Sequence, residues 1–303
     1  MKKSRIAIVG GSGMIGGVLN NLLIDNEIIN LSRGFEAGEF ENRKCQNLRF
    51  DVTSAIFPRP VIDALSGCDL LVNLASLIPR DMKDISVLED CLRVNAAGAV
   101  NVMRLCSTAG IETLVHFSTF SMVNSRCFER RGFFDVSHAP AYLASKAAGE
   151  VLVRANPFGL RNIQVVRPSS VYSDEKPPKF LEYLVNCYQT NSTFVIYNNG
   201  SFAADYIHVG DLCAISRDII SSRVPGVFNV GSGVLTTNKA IFCGFVRLMG
   251  IEHWPVRYIA NSLRSDGFEP VNAEVIAKFT TVKPRILSNY IEALVAKHWP
   301  QLR

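Results

Sequence analysis

The chain has 303 residues, of which 48% are hydrophobic and 19% charged, with a formal net charge of +5. That balance belongs to a globular protein and excludes a chain dominated by disorder. The charge is modest and spread along the sequence, so no nucleic-acid partner and no membrane surface is expected, and no run of about 18 apolar residues offers a membrane span.

In chain order, Arg5–Val9 reads as a short apolar strand, Gly13–Ile24 as a helix after a glycine turn, and Glu27–Leu31 as a second strand. Leu48–Phe50 is a third strand. Pro58–Leu65 is a helix with prolines at its start, and Asp69–Leu74 is a continuous apolar strand of the kind buried on both faces. Val87–Ala109 predicts one long helix, Ile111–Ser118 a buried strand, Tyr142–Ala155 a helix closed by Asn156-Pro157, and Ile163–Val166 a strand. This alternation predicts an α/β, Rossmann-like, doubly wound parallel sheet over residues 1–168. From 169 to 303 the texture changes to short elements and turns, which predicts a smaller substrate lobe partly interleaved with the first domain. Tyr290–Trp299 predicts a last helix, capped by Ser288.

Eight cysteines are scattered without a Cys-x-x-Cys pair. Such spacing suits free thiols in a reducing, cytoplasmic setting. The Met1-Lys2-Lys3 start has signal-like charge, but the apolar run Ile6–Val9 stops at Gly10-Gly11 and is too short for a signal core. No His/Cys cluster has metal-ligand spacing, so no metal is expected.

Gly10-Gly11-Ser12-Gly13-Met14-Ile15-Gly16-Gly17 lies between the first strand and its helix. Glycines there let the backbone turn tightly and approach a pyrophosphate that the helix N-terminus stabilises. Two spacings fit, Gly11-x-Gly13-x-x-Gly16 and Gly10-x-x-Gly13-x-x-Gly16. The second strand ends Leu31-Ser32-Arg33, without the carboxylate that suits a free ribose 2′-hydroxyl. An arginine there pairs with a 2′-phosphate, which favours NADP, with NAD the alternative.

Tyr142 and Lys146 stand four apart on one helix and share a face. A phenol is a weak base near neutrality, and a neighbouring ammonium is expected to lower its pKa. Tyr142 is then the candidate for proton exchange with a substrate hydroxyl or carbonyl. The fifth strand ends in Ser118-Thr119-Phe120-Ser121, at the carboxyl edge where ligands bind open α/β sheets. Thr119 is the first candidate for holding the substrate oxygen and Ser118 the second.

With these residues the chain resembles the extended short-chain dehydrogenase/reductase family, also called the NAD-dependent epimerase/dehydratase family. The resemblance takes in the glycine turn, Asp51-Val52, Asn73-Leu74-Ala75-Ser76, Val94-Asn95-Ala96-Ala97-Gly98, Ser118-Thr119, Tyr142-x-x-x-Lys146 and Glu150. It continues through Arg167-Pro168-Ser169-Ser170-Val171-Tyr172, Asp205–Asp211 and Phe228–Gly233. It implies catalysis by Thr119, Tyr142 and Lys146. It also implies that Asp51 and Val52 meet adenine, that Leu74, Ala75 and Ser76 line the diphosphate and ribose, and that Asn95 sits beside the cofactor. Lys146 would also hold the nicotinamide ribose, with Met14, Ile15 and Ser169 completing the cofactor contacts. A nucleotide-activated sugar is the implied substrate and a homodimer through a helical face the implied assembly. A keto-sugar reductase is favoured over a 4-epimerase because NADPH is the usual reductant, and a dehydratase ranks lower because Phe120 and Ser121 supply no carboxylates. A non-sugar ketone reductase and a non-catalytic NADP-sensing scaffold are the other readings.

The family pattern is broken in places. Ala204 stands where nucleotide-sugar enzymes carry a pyrophosphate-gripping arginine, and Ser170 where they carry an asparagine; Arg264-Ser265-Asp266 is a candidate relic of a later arginine–aspartate pair. Arg126–Phe134 interleaves basic and aromatic residues and reads as a solvated loop, with Arg130 and Arg131 the alternative phosphate ligands. His208 is expected to be structural and His138 a surface loop residue.

Overall fold

The computed structural model describes residues 3–34, 45–123, 134–137, 139–260 and 269–302. The strands are β1 (Arg5–Val9), β2 (Glu27–Ser32), β3 (Cys45–Arg49), β4 (Leu70–Asn73), β5 (Thr113–Phe117), β6 (Asn162–Pro168), β7 (Ser170–Tyr172), β8 (Phe194–Tyr197), β9 (Ala203–His208), β10 (Gly226–Val230), β11 (Leu235–Thr237) and β12 (Val256–Ile259). The helices are α1 (Met14–Leu22), α2 (Arg59–Leu65), α3 (Leu88–Cys91), α4 (Gly98–Ala109), α5 (Pro140–Ala155), α6 (Lys179–Gln189), α7 (Val209–Ser222), α8 (Asn238–Leu248), α9 (Ala273–Ile276) and α10 (Leu287–His298).

Seven parallel strands form the main sheet in the order β3-β2-β1-β4-β5-β6-β10. β1, β4 and β5 are apolar along nearly their whole length because helices cover both faces. On one face Ile8, Val72, Val115 and Phe117 pack against α1 and α7 through Leu19, Leu212 and Ile219. On the other, Val9, Leu71 and Leu114 pack against α2, α4 and α5 through Leu65, Val102, Met103 and Val153. The strand order reverses between β1 and β4, and a crevice opens at the carboxyl ends there.

Past residue 168 the chain divides its loyalties. β10 returns to the edge of the main sheet beside β6, and α7 lies on the face that also holds α1. β7, β9 and β11 make a small mixed sheet, and β8 pairs with β12. A separate core joins α6, β8, α8 and α10 through Leu184, Phe194, Phe245 and Ile291.

Three local expectations differ from the structure. The stretch predicted as one helix over 87–109 is α3, a π-helical turn over Leu92–Ala97, and α4. Hydrophobic spacing cannot show one extra residue in a turn, and such turns recur at functional sites. Ser288 does not cap the last helix: it is the second residue inside α10, whose N-cap is Ile286 without a side-chain bond. α5 begins at Pro140 rather than Tyr142, with the ring in the first turn where its missing N–H costs nothing.

Candidate active site

The glycine turn lies at the crevice. Gly10 has φ +83°, and a Cβ there would sit 3.0 Å from Ala75 N and 3.1 Å from Leu74 C. A Cβ on Gly16 would come within 2.6 Å of both Gly10 O and Gly11 O. Those contacts select the Gly10-x-x-Gly13-x-x-Gly16 reading. Gly11 answers to a different neighbour, since its Cβ would lie 2.1 Å from Asn30 Oδ1 in β2. Gly13 is the exposed N-cap of α1, and the first turn of α1 carries no acidic side chain. Its N–H groups, at Met14 and Ile15 among others, therefore present an uncompensated positive end to the crevice. This cradle fits a dinucleotide pyrophosphate.

At the adenosine end, Ser12 and Ser32 join hydroxyls at 2.6 Å beside exposed Arg33. Asp51 Oδ1 accepts from Thr53 N and Thr53 Oγ1, both at 2.9 Å. The Thr53 amide, with Arg33 and Arg93 in support, holds this carboxyl below its usual range. Buried Val52 follows, its carbonyl accepting from Asn101 Nδ2 at 2.8 Å.

β4 ends at Asn73, whose Oδ1 accepts from Ala75 N at 3.1 Å. This fixes the wall formed by Leu74 and Ala75 against Gly10. It also turns the Asn73 amide nitrogen toward His116 Nδ1 at 3.3 Å on the neighbouring strand. His116 is buried, and burial, with the nearby Lys146 charge, holds its pKa well below the usual value. His116 is thus a neutral ring with Nδ1 as acceptor.

The π-helical turn places Asn95 in the interior. Its Oδ1 accepts from Leu77 N at 2.7 Å and Ser76 Oγ at 3.3 Å. Its Nδ2 donates to Leu77 O at 3.0 Å and Ser145 Oγ at 2.9 Å. α5 packs so closely on this turn that a Cβ at Gly149 would lie 2.3 Å from Asn95 O.

α5 carries Tyr142 and Lys146. Tyr142 is half-buried against an apolar cluster that includes Phe120, Met122, Leu143 and Val271. Burial pushes its phenol up to about 12, against the pull of hydrogen bonds from the Ser76 and Thr119 hydroxyls. This departs from the expectation of a lowered value, because burial outweighs the groups that favour the charged form. Lys146 is buried, donates from Nζ to Phe117 O at 2.6 Å, and is pushed down to about 8 by burial while Glu150 opposes the shift. Glu150 is itself buried, paired through two hydrogen bonds with Arg167 and reached by Arg154 at 3.6 Å. A buried ammonium with one carbonyl acceptor retains N–H groups for the hydroxyls of a ribose.

Thr119 Oγ1 accepts from Ser121 N at 3.3 Å and meets the phenol, whereas the Ser118 hydroxyl is buried without a partner among the described residues. The structure therefore brings Thr119, Tyr142, Lys146, Ser76 and Asn95 together. Ser169 faces elsewhere, its hydroxyl 3.3 Å from Asp205 Oδ1. Asp205 is buried and accepts from Ser232 N and Oγ, Gly233 N and Val271 N. The Asp205 motif thus ties the Gly231-Ser232-Gly233 turn into the lobe, and Ala204 beside it is buried on β9. His208 caps α7, its Nδ1 accepting from Gly210 N at 3.1 Å. Arg130, Arg131, His138 and Arg264-Ser265-Asp266 lie outside the described residues. Sequence reasoning assigned no role to His116, although its apolar strand context signalled burial, nor to the Ser76–phenol contact, which joins residues 66 apart and left no signal.

Among the described residues no helix is long and apolar enough to cross a membrane, and no group of three or more His, Cys, Asp or Glu side chains could hold a metal ion.

A model of the NAD dependent epimerase/dehydratase family matches residues 6–231, and the chain belongs to that family, whose members are enzymes that use a nicotinamide dinucleotide. The low-salt glycan biosynthesis protein Agl12 of Haloferax volcanii is 26% identical over 260 residues, covering 77% of this chain and 78% of that protein. Among solved structures, a UDP-N-acetylglucosamine 4-epimerase from Methanobrevibacter ruminantium M1 in complex with UDP-N-acetylmuramic acid superposes with TM-score 0.77 at 19% identity, over 99% of this chain and 100% of that one. A UDP-glucuronic acid 4-epimerase mutant from Bacillus cereus, bound to UDP-4-deoxy-4-fluoro-glucuronic acid and NAD, superposes with TM-score 0.76 at 16% identity, over 99% of this chain and 100% of that one.

Proposed function

We propose that this enzyme reduces the keto carbon of a nucleotide-activated sugar, with NADPH preferred over NADH. The observation that carries the reading is the Tyr142 phenol, beside the Thr119 and Ser76 hydroxyls and protonated at neutral pH as a phenol ordinarily is, with burial pushing it further up to about 12. A group in that state is an acid. Tyr142 gives its proton to the carbonyl oxygen while Thr119 donates a hydrogen bond to the same oxygen and steadies its developing charge. Lys146, one turn along α5, holds the ribose hydroxyls and offsets the charge left on Tyr142; Glu150 below favours its charged form. The nicotinamide dinucleotide, when bound, supplies the hydride.

Gly10, Gly13, Met14, Ile15 and Gly16 would hold the pyrophosphate, Asp51 and Val52 the adenine, and Leu74, Ala75, Ser76 and Asn95 the inner wall. Ser12, Ser32 and Arg33 are the residues for a 2′-phosphate. The named activities of the superposed epimerases support a UDP-sugar as substrate, with the lobe of α6, β8, α8 and α10 gripping the nucleotide. They also favour a second reading, a 4-epimerase, in which the same phenol returns the proton to a sugar whose other face has been presented. Leu92, Val151 and Leu152 are exposed apolar side chains on the π-helical turn and α5, and a second copy of the chain would cover them.

The test is a thermal-shift screen of UDP-, dTDP- and GDP-sugars with NADPH or NADH present. A ligand at 100 times its dissociation constant stabilises by about 2.7 kcal/mol. A UDP-sugar is expected to raise the melting temperature only with the dinucleotide present. Absence of a shift for every nucleotide sugar would remove that substrate class.

A further inference from the structure

A histidine in the middle of a buried strand stands out from its neighbours. β5 otherwise carries Leu114, Val115 and Phe117 into apolar cores, and an aliphatic side chain at 116 would pack there with no polar atom to satisfy. His116 is 1% exposed. Its Nε2 has no hydrogen-bond partner among the described residues, so Nδ1 makes the ring's polar contact, to Asn73 Nδ2 at 3.3 Å. The two residues are direct neighbours across β4 and β5.

The direction of that bond is set from its other end. Ala75 N donates to Asn73 Oδ1 at 3.1 Å, so the Asn73 amide offers its nitrogen to the ring. Nδ1 must then accept, and burial, with the Lys146 charge, keeps the ring neutral and able to do so. A side chain without that acceptor would leave the buried Asn73 Nδ2 unbonded and let the amide turn its oxygen away from Ala75. The contacts run on to the glycine turn, where Ala75 N and Leu74 C stand 3.0 and 3.1 Å from the place of a Gly10 Cβ. The wall and the turn touch without slack, so a turned amide at Asn73 changes the surface that a pyrophosphate meets.

We propose that His116 is a positioning residue for the dinucleotide: its Nδ1 orients the Asn73 amide, and Asn73 Oδ1 in turn holds the Leu74-Ala75 wall against the glycine turn. The proposal rests on that turn as the pyrophosphate cradle.

The test is fluorescence titration of the full chain with NADPH and with NADH, beside thermal unfolding. His116→Phe keeps a flat ring and loses the acceptor. His116→Asn loses bulk, but its Oδ1 is bonded to Cγ as Nδ1 is, and stands in the acceptor's place. The dinucleotide dissociation constant is expected to rise about tenfold in His116→Phe and to stay within about twofold of the parent in His116→Asn, although the smaller side chain lowers the melting temperature. Parent-like affinity in His116→Phe overturns the proposal. So does an Asn variant that binds no better than the Phe variant, because packing alone would give that order. Asn73→Ala removes the link itself, and adding His116→Phe to it is expected to cost no further affinity; losses that add would overturn the proposal even if His116→Asn did not fold. Failure of the underlying reading shows separately. Gly13→Asp sets a carboxylate at the N-cap of α1, and dinucleotide binding that survives it would remove the cradle whatever the His116 variants do.

Discussion

Gly149→Ala tests the closest approach in the site. A methyl at Gly149 would lie 2.3 Å from Asn95 O and 3.2 Å from Asn95 C, both backbone atoms. Ordinary contact begins near 3.4 Å, so α5 and the π-helical turn must separate by about 1 Å. Overpacking of this kind costs about 1–3 kcal/mol. Weakening two of the Asn95 hydrogen bonds adds about 1–2 kcal/mol. Alanine in a helix returns about 1 kcal/mol through propensity. The net is a loss of about 2 kcal/mol, read in a chain of this length as a fall in melting temperature of roughly 3 °C. Dinucleotide affinity should fall as well, because Asn95 holds the Leu77 backbone and with it the wall beside Ser76. Thermal unfolding and fluorescence titration with NADH measure both. A variant as stable as the parent, where propensity alone has won, would refute the close packing of α5 on this turn.

Arg33→Ala should weaken NADPH about tenfold while leaving NADH nearly unchanged, by titration of each; equal losses would remove the basis for NADP. Glu150→Gln should cost about 3–5 kcal/mol in urea unfolding, since Arg167 is buried and would lose its counter-charge. His116 is neutral in the folded state and ordinarily basic when unfolded. Below about pH 6.5 the unfolded chain therefore takes up a proton that the folded chain refuses, and stability should fall by up to about 1.4 kcal/mol per pH unit. His116→Phe should flatten that slope; an unchanged slope would place the acid sensitivity on other groups.

The parallel sheet was legible because β1, β4 and β5 are apolar runs broken by glycine turns, and burial on both faces leaves that trace in composition. Tyr142 and Lys146 were legible as a pair because helical spacing alone puts them on one face. Their electrostatics were not. The phenol's pKa is governed by burial, and the apolar cluster that Tyr142 packs against joins Phe120 and Met122 to Val271, far along the chain. Gly11 matched a phosphate fingerprint for the wrong reason, since the neighbour that forbids its side chain is Asn30 across the β1–β2 corner. The π-helical turn at Leu92–Ala97 was invisible because its one extra residue changes backbone pairing without changing which residues are apolar. Asp205 sits in a recognisable motif, yet its five donors come from segments up to 66 residues away, and only the folded chain brings them together.

The most direct measurement is steady-state turnover of Tyr142→Phe beside its dinucleotide affinity, using the nucleotide sugar and cofactor that stabilise the parent. Turnover should fall by orders of magnitude with the cofactor dissociation constant nearly unchanged, because the lost group moves a proton and holds little of the dinucleotide. Turnover equal to the parent's would show that the proton comes from another group and would contradict the account.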